Sequence, residues 1–194
     1  MNYLAHLFFS DANGLAWAGS LMGDFHKGSD FNGLPDELVR HLKLHRYIDG
    51  LTRVDDDFQT SRRRLDPAFR YARSVLVDVF YDHILACRWD SYAQQPLADF
   101  ASQVYRGLED CYHLLSPGLQ QQLPRMIKDD WLSSYRRTDI VARVLGRLEQ
   151  RLGGKIPLAS GYAQLGLWRP QLEADFEAFM TTTDRRVRHW KDRH

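Results

Sequence analysis

Two aspartates inside an apolar run restrict what this chain can fold into. The run covers residues 75–85 (VLVDVFYDHIL) and contains Asp78 and Asp82, four residues apart. In a helix each residue turns the chain by about 100°, so the two carboxylates lie about 40° apart on one face. Like charges this close repel, and burying them unpaired costs several kcal/mol each. Such a pair either lies on a solvated helix face or, if its apolar neighbours bury it, requires a cation from the fold: a bound divalent metal or an arginine in a salt-bridge network.

A second apolar helix face also becomes polar along its length. Residues 35–57 are predicted to be helical, with Pro35 in the first turn. Their inner stripe follows the i, i+4, i+7, i+11, i+14 spacing and consists of Leu38, Leu42, His45, Asp49 and Thr52. His45 and Asp49 are four residues apart and therefore project together.

Two polar residues near the N-terminus stand among apolar or small neighbours. His6 lies in the stretch YLAHLFF, where it also fits a hydrogen-bonded core histidine. Asp24 follows the residues GSLMG, which permit close approach of helices. The first half of the chain thus supplies three histidines and four aspartates as candidate ligands, namely His6, His45, His83, Asp24, Asp49, Asp78 and Asp82.

Mixed imidazole and carboxylate groups are the ligands that Mn²⁺, Fe²⁺, Mg²⁺ and Zn²⁺ accept. The chain has 20 Asp but 5 Glu and no Glu-x-x-His motif, which argues against a ferritin-like di-iron bundle. It also lacks a Gly-rich phosphate loop, a Gly-x-Ser-x-Gly motif and paired Cys-x-x-Cys motifs. The pattern therefore favours a helical hydrolase that uses a divalent metal to activate water.

We expect an all-α, single-domain helical bundle over residues 1–194, because breakers separate helical segments and strand-like alternation is scarce. Asp66 is predicted to cap one helix, and Thr138 another that ends at Gly153-Gly154. The predicted helical segments are 15–28, 35–57, 67–89, 97–114, 117–128, 139–152 and a last helix from about Pro170, with an irregular stretch at 155–167.

Charge and composition exclude several classes of protein. The 194 residues carry 26 Lys plus Arg and 25 Asp plus Glu, a net charge of +1, which argues against a dedicated nucleic-acid-binding domain. Cys87 and Cys111 are too few for a disulfide framework or a thiolate zinc site. No apolar run approaches the roughly 20 residues of a membrane span, and the start lacks a secretory signal. We therefore expect a soluble, cytoplasmic protein.

Taken in order, the motifs resemble those of the bacterial acyl carrier protein phosphodiesterases. The shared motifs are MNYLAHL at 1–7, the stretch from Gly19 to Phe25, LHRYID at 44–49, VDVFYDH at 77–83, and WL at 131–132 with YR at 135–136. Their order and the similar chain length indicate that the resemblance covers the whole chain.

The resemblance implies an all-α fold distantly related to the His-Asp (HD) metal phosphohydrolases, although no His is followed directly by Asp in this chain. It implies hydrolysis of the phosphodiester between 4′-phosphopantetheine and a serine of holo-acyl carrier protein, which gives apo-carrier protein and free 4′-phosphopantetheine. It also implies dependence on manganese. The metal ligands that it implies are His6, Asp24, His45, Asp49, Asp78, Asp82 and His83.

Four residues are predicted to have catalytic roles: Asp24, His45, Arg46 and His83. Arg46 would stabilise charge on the phosphoryl group or, alternatively, form a salt bridge to a nearby aspartate. A spare carboxylate or His83 would act as the general base or protonate the leaving serine oxygen. The spacing does not assign these proton-transfer roles separately.

An acidic carrier protein requires a basic docking surface. Among several basic clusters, each of which also fits a solvated face, the prediction favours Arg62, Arg63 and Arg64, because they lie between the two helices that carry the site. The other candidates are Arg136-Arg137 and the tail residues Arg185, Arg186, Arg188, Lys191 and Arg193. Trp131 and Tyr135 either cover the pantetheine arm or belong to the core. We expect no nucleic-acid or membrane partner, and the sequence gives no oligomeric state.

Two other functions are compatible with the same residues. One is a phosphohydrolase that acts on a nucleotide or another small phosphodiester. The other is a non-catalytic helical protein that binds a partner and neutralises its buried charges internally.

Overall fold

Helices make up the secondary structure of residues 3–194, which are the residues that the computed structural model describes; Met1 and Asn2 of the N-terminal motif lie outside them. No strand occurs in that range, which confirms the all-α prediction, and no helix in it combines the length and apolarity of a membrane span. Its ten α-helices are α1 (Tyr3–Phe8), α2 (Gly14–Met22), α3 (Asp36–Val54), α4 (Asp56–Arg64), α5 (Arg73–Cys87), α6 (Leu97–Asp110), α7 (Pro117–Lys128), α8 (Trp131–Ser134), α9 (Thr138–Arg151) and α10 (Tyr162–Lys191). Short 3-10 turns occupy Pro67–Ala72, Trp89–Ser91, Tyr112–Leu114 and Leu158–Gly161.

The segment predicted as one helix over 35–57 is two helices. Helix α3 ends at Val54, and Asp55 takes the extended dihedral angles φ −80° and ψ 127°. The Asp55 carboxylate accepts hydrogen bonds from the amides of Asp57 and Phe58 at 3.1 and 3.2 Å, and so caps α4. The hydrophobic period does not reveal this break, because the cap changes the backbone and not the spacing of apolar residues.

The segment predicted over 67–89 begins as a 3-10 turn. Asp66 caps this turn as expected, since its carboxylate accepts a hydrogen bond from the Ala68 amide at 2.8 Å. Arg70 then has a φ of +52°, which a helix does not accommodate. The regular helix α5 therefore begins at Arg73.

The last helix begins earlier than predicted, and the first apolar segment ends earlier. The prediction started the last helix near Pro170 because proline favours the first turn. Helix α10 instead begins at Tyr162 and keeps Pro170 in its interior, at the loss of one backbone hydrogen bond. The predicted irregular stretch at 155–167 is therefore partly helical.

Near the N-terminus, the helix predicted over 15–28 is shorter than expected: α2 ends at Met22 and leaves Asp24 on a turn.

Helices α3 and α5 contribute most of the polar residues predicted for the site and a large part of one hydrophobic cluster. Helix α1 packs on α5, and α2 packs on α3. Two glycines permit the second contact: a Cβ on Gly19 would collide with the Leu38 carbonyl oxygen, and a Cβ on Gly23 would collide with the His45 imidazole. The close packing expected from these small residues is confirmed.

Candidate metal centre

The side chains of His6, His45 and Asp49 meet between α1 and α3. His45 and Asp49 are one turn apart on α3, and His45 Nε2 lies 3.2 Å from Asp49 Oδ2. His6 comes from α1, and its Nε2 lies 3.2 Å from Asp49 Oδ1. The two imidazole rings stack with centroids 3.8 Å apart. One ligand atom from each residue lies within 4.8 Å of the others, so these three residues, the His–His–Asp group, could hold one metal ion.

A backbone contact fixes the tautomer of His45. Its Nδ1 lies 2.7 Å from the Ser20 carbonyl oxygen, which can only accept, so Nδ1 carries a proton. In the neutral ring, Nε2 then presents its lone pair to Asp49. A lone pair and a carboxylate face each other favourably only with a proton or a metal ion between them. A carbonyl that holds the far ring nitrogen is also the usual support of a metal-binding histidine.

The charge states of His6 and Asp49, the other two residues of the group, also suit a divalent ion. Burial, and the nearby His45 ring, lower the pKa of His6 to about 3, so its imidazole is neutral at ordinary pH. Burial alone would raise the pKa of Asp49, but its contacts with the His45 and His6 rings outweigh burial and hold that pKa well below its usual value. The group therefore offers two imidazoles and a permanent carboxylate.

Two further aspartates, Asp24 and Asp78, interact electrostatically with the group. Asp24 Oδ1 lies 3.7 Å from His45 Nε2, and its side chain is 45% exposed, so it faces solvent. Partial burial raises the pKa of Asp24. Burial also raises the pKa of Asp78, and the charges of Asp49 and Asp24 raise it further. These aspartates lie within electrostatic range of the His–His–Asp group, with Asp24 on its open side.

Asp82 holds helix α1 in place. Its two carboxylate oxygens accept hydrogen bonds from the amides of Leu4 and Ala5 at 2.8 and 3.1 Å. These amides belong to the first turn of α1, where a short helix has no partner of its own for them. Burial raises the pKa of Asp82 to about 7, against the effect of the two amides. Asp82 was predicted as a metal ligand, but the structure places it as the anchor of the helix that carries His6.

His83 lies on another side of α5, away from the His–His–Asp group. Its Nδ1 is 2.7 Å from the Tyr135 carbonyl oxygen, and Cys87 Sγ is within 3.8 Å of its ring. Burial lowers the pKa of His83. Because successive residues of a helix turn by about 100°, His83 does not share the face of Asp78. In the described part of the chain, His83 therefore does not join the His–His–Asp group. It was predicted to be both a metal ligand and a catalytic residue.

Arg46 braces the segment between α2 and α3. Its Nη2 donates to the His26 carbonyl oxygen at 2.9 Å, and its guanidinium lies 5.5 Å from the centre of the Phe31 ring. Neither predicted role of Arg46 is visible in these contacts. They keep the turn that carries Asp24 close to α3.

Comparison with known proteins identifies the family of this chain. A family model described as acyl carrier protein phosphodiesterase matches residues 1–183. This chain belongs to that family. The match confirms the resemblance found in the sequence and, with it, the prediction of a phosphodiester hydrolase. An HD-like relationship and a cytoplasmic location stay predictions.

Relatives of similar length carry the same family name. Proteins named acyl carrier protein phosphodiesterase are 27% identical to this chain in Klebsiella pneumoniae subsp. pneumoniae and 29% identical in Enterobacter sp., each match covering 92% of this chain and 93% of the relative. A protein of that name in Yersinia pestis is 27% identical and covers 97% of this chain and 98% of its own length. No solved structure matches this member of the family.

The arginines predicted to bind a partner lie on α4, and most of their contacts are internal. Arg64 forms two hydrogen bonds with the Asp175 carboxylate, at 2.9 and 3.2 Å. Arg62 donates to Gln59, and Arg63 donates to Thr60. The predicted docking role of this arginine run stays a prediction.

A cavity of about 460 Å³ lies beside α1, between α8 and α9. Trp131 and Tyr135 both line it, and Tyr135 is buried whereas Trp131 is half-buried. The two predicted alternatives, a place in the core and a contact with the pantetheine arm, therefore do not exclude each other. Tyr3 of α1 lines the cavity as well. The sequence reasoning missed the α9 arginines at its rim, whose four-residue spacing was the available signal: Arg143, Arg147 and Arg151.

A second group with metal-like spacing lies one turn earlier on α3 and consists of Asp11, Glu37 and His41. The Asp11 carboxylate is 3.0 Å from His41 Nε2. It also contacts Arg40 Nη1 at 2.9 Å and Lys191 Nζ at 2.7 Å. Burial alone would raise the pKa of Asp11, but the Lys191 ammonium and the His41 ring hold it at about 2. This group is therefore an ion-pair network that joins α10 to the N-terminal region.

Proposed function

We propose that this protein hydrolyses the phosphodiester between 4′-phosphopantetheine and serine in holo-acyl carrier protein. The observation that carries the proposal is the His–His–Asp group, in which two buried imidazoles converge on one carboxylate. The family match supports the same activity, because the family and its relatives are named for it. The products would be apo-carrier protein and free 4′-phosphopantetheine.

His6, His45 and Asp49 would hold the divalent metal that the predicted chemistry needs. Their mixed donor set suits Mn²⁺, and Mg²⁺, Fe²⁺ and Zn²⁺ also accept such ligands. When bound, the ion would supply a Lewis acid that activates water and offsets charge on the phosphate. The Ser20 carbonyl keeps the His45 ring in the tautomer that this role requires.

Asp24 is the residue that we propose for proton transfer. It lies 3.7 Å from His45 Nε2, and its half-exposed side chain is open to a substrate. Water attacks phosphorus, and the bond between phosphorus and the serine oxygen breaks. Asp24 Oδ1 would take the proton from the attacking water, and the protonated carboxyl would return it to the serine oxygen. A carboxyl whose pKa is raised is suited to both steps.

Mass spectrometry of holo-carrier protein tests this function. Incubation with the protein and Mn²⁺ should convert holo- to apo-carrier protein and release free 4′-phosphopantetheine. Asp24→Asn keeps the size of the side chain but removes the proton acceptor, so it should slow this conversion by about 100-fold or more. Intact holo-carrier protein, together with rapid turnover of nucleotides or another small phosphodiester, would contradict the proposal and favour the alternative phosphohydrolase.

A further inference from the structure

Helix α9 presents a row of exposed arginines beside the cavity. Arg143, Arg147 and Arg151 follow four-residue spacing, so they lie along one side of the helix. Beneath them, Ile140, Val144 and Leu148 give the cavity an apolar wall. A cationic edge along an apolar cavity suits a ligand that has an anionic surface and a narrow, less polar extension.

Two of these three arginines carry charge that the fold does not neutralise. Arg143 pairs with Asp139 at 2.8 Å. Within residues 3–194, the side chains of Arg147 and Arg151 take part in no hydrogen bond or ion pair. The last turns of a helix tolerate cations, yet like charges four residues apart repel. An acidic partner would relieve this repulsion. On α4, by contrast, Arg64 is already paired with Asp175.

Tyr3 links the cavity to α1, the helix that carries His6 of the candidate metal centre. Tyr3 lines the cavity and stands one turn before His6 on α1, and its ring stacks on Trp131 with centroids 6.3 Å apart. An extended group leaving the site past Tyr3 would therefore enter the cavity.

We infer that α9 is the docking face for the carrier protein, and this inference rests on the proposed function. Arg147 and Arg151 bind carboxylates on the acidic surface of the carrier protein. The cavity takes the pantetheine arm, a narrow chain of methylenes and amides. Charge complementarity selects this occupant over an uncharged partner.

Calorimetric binding of holo- and apo-carrier protein tests the arginine row. The double variant Arg147→Glu/Arg151→Glu should weaken binding of both forms by at least about 10-fold. The matched control Arg106→Glu/Arg185→Glu makes the same change of net charge at two exposed positions that do not line the cavity. It should bind within about 2-fold of the unmodified protein. Equal affinities in the two double variants would overturn the docking face.

A cavity-filling variant tests the place of the arm. Apo-carrier protein has no arm, so Val144→Trp should weaken binding of holo- but not apo-carrier protein. Ile140→Trp repeats the test from the other end of the same wall, and thermal melting confirms that each variant is folded. An unchanged ratio of holo to apo affinity in both folded variants would overturn the placement of the arm.

Turnover separates this inference from the proposed function. If the unmodified protein releases no 4′-phosphopantetheine, the proposed function fails whatever the binding data show. If it releases 4′-phosphopantetheine and Arg147→Glu/Arg151→Glu has an unchanged KM, the activity stands and the docking face fails. The expected result is release by the unmodified protein and a KM at least about 10-fold higher in the double variant.

Discussion

Helix α3 carries two buried histidines one turn apart, and each contacts an aspartate. His41 meets Asp11 at 3.0 Å, and His45 meets Asp49 at 3.2 Å. The two pairs differ in what else reaches the carboxylate. Asp11 also contacts the cations of Arg40 and Lys191, whereas a further contact of Asp49 is the His6 imidazole, neutral at ordinary pH because of its lowered pKa.

This difference shows that spacing alone does not define a metal site. A divalent ion at Asp11 would face two permanent cations at hydrogen-bonding distance, which repel it. At Asp49 the ion would meet two imidazoles and a carboxylate, with Asp24 nearby. The His41–Asp11 pair ties α10 to the N-terminal region, whereas the His45–Asp49 pair can still bind a metal ion.

The largest expected effect separates the two histidines by activity. His45→Ala removes a predicted ligand, so phosphodiesterase activity with Mn²⁺ should fall by more than about 100-fold. His41→Ala makes the same change one turn away and should keep activity within about 3-fold. The measurement is the initial rate of release of 4′-phosphopantetheine. Similar losses in both variants would mean that the comparison reflects packing and not ligation.

Gly23 sharpens the comparison without removing a ligand. A Cβ at this position would overlap the His45 ring, so Gly23→Ala should displace the imidazole and cost about 10- to 100-fold in Mn²⁺ affinity. Gly166→Ala is the control, because a Cβ there meets no atom within 4 Å. Isothermal titration with Mn²⁺ measures both. Unchanged affinity in Gly23→Ala would argue that the His45 position is not critical.

The ion-pair network predicts a smaller effect, on stability. Asp11→Asn should lower the free energy of unfolding by about 1 kcal/mol at neutral pH, an amount reduced by solvent screening of the half-exposed carboxylate. The pKa of Asp11 is lowered to about 2 in the folded protein, so its contribution is present above pH about 4 and is lost as pH falls towards 2. Denaturant unfolding should show the two proteins converging across that range. A gap that widens on acidification would contradict this assignment.

Local parts of the site follow from the sequence, because helical geometry fixes them. The four-residue spacing of His45 and Asp49 brings them together within one helix, and the rotation of His83 away from Asp78 follows from the same geometry. The meeting of His6 with this pair depends on tertiary packing of α1, which the family resemblance indicated and periodicity did not.

Long-range polar contacts did not follow from the sequence. The Asp82 carboxylate accepts hydrogen bonds from amides that are 77 and 78 residues away in the chain. Its sequence neighbours do not distinguish a residue that anchors α1 from a metal ligand. The arginines of α9 are visible as a spacing, but the cavity beside them forms only when α1 and α8 pack there. The break at Asp55 was missed for a local reason, since an aspartate can cap a new helix or lie within one.

Thermal melting with and without Mn²⁺, compared among the unmodified protein, His41→Ala and His45→Ala, tests the metal centre most directly. At an Mn²⁺ concentration about 100 times its Kd, binding should stabilise the first two by about 2.7 kcal/mol and raise their Tm by several degrees. His45→Ala should show no Mn²⁺-dependent rise. An equal rise in all three proteins, or none in the unmodified protein, would contradict a metal centre at His6, His45 and Asp49.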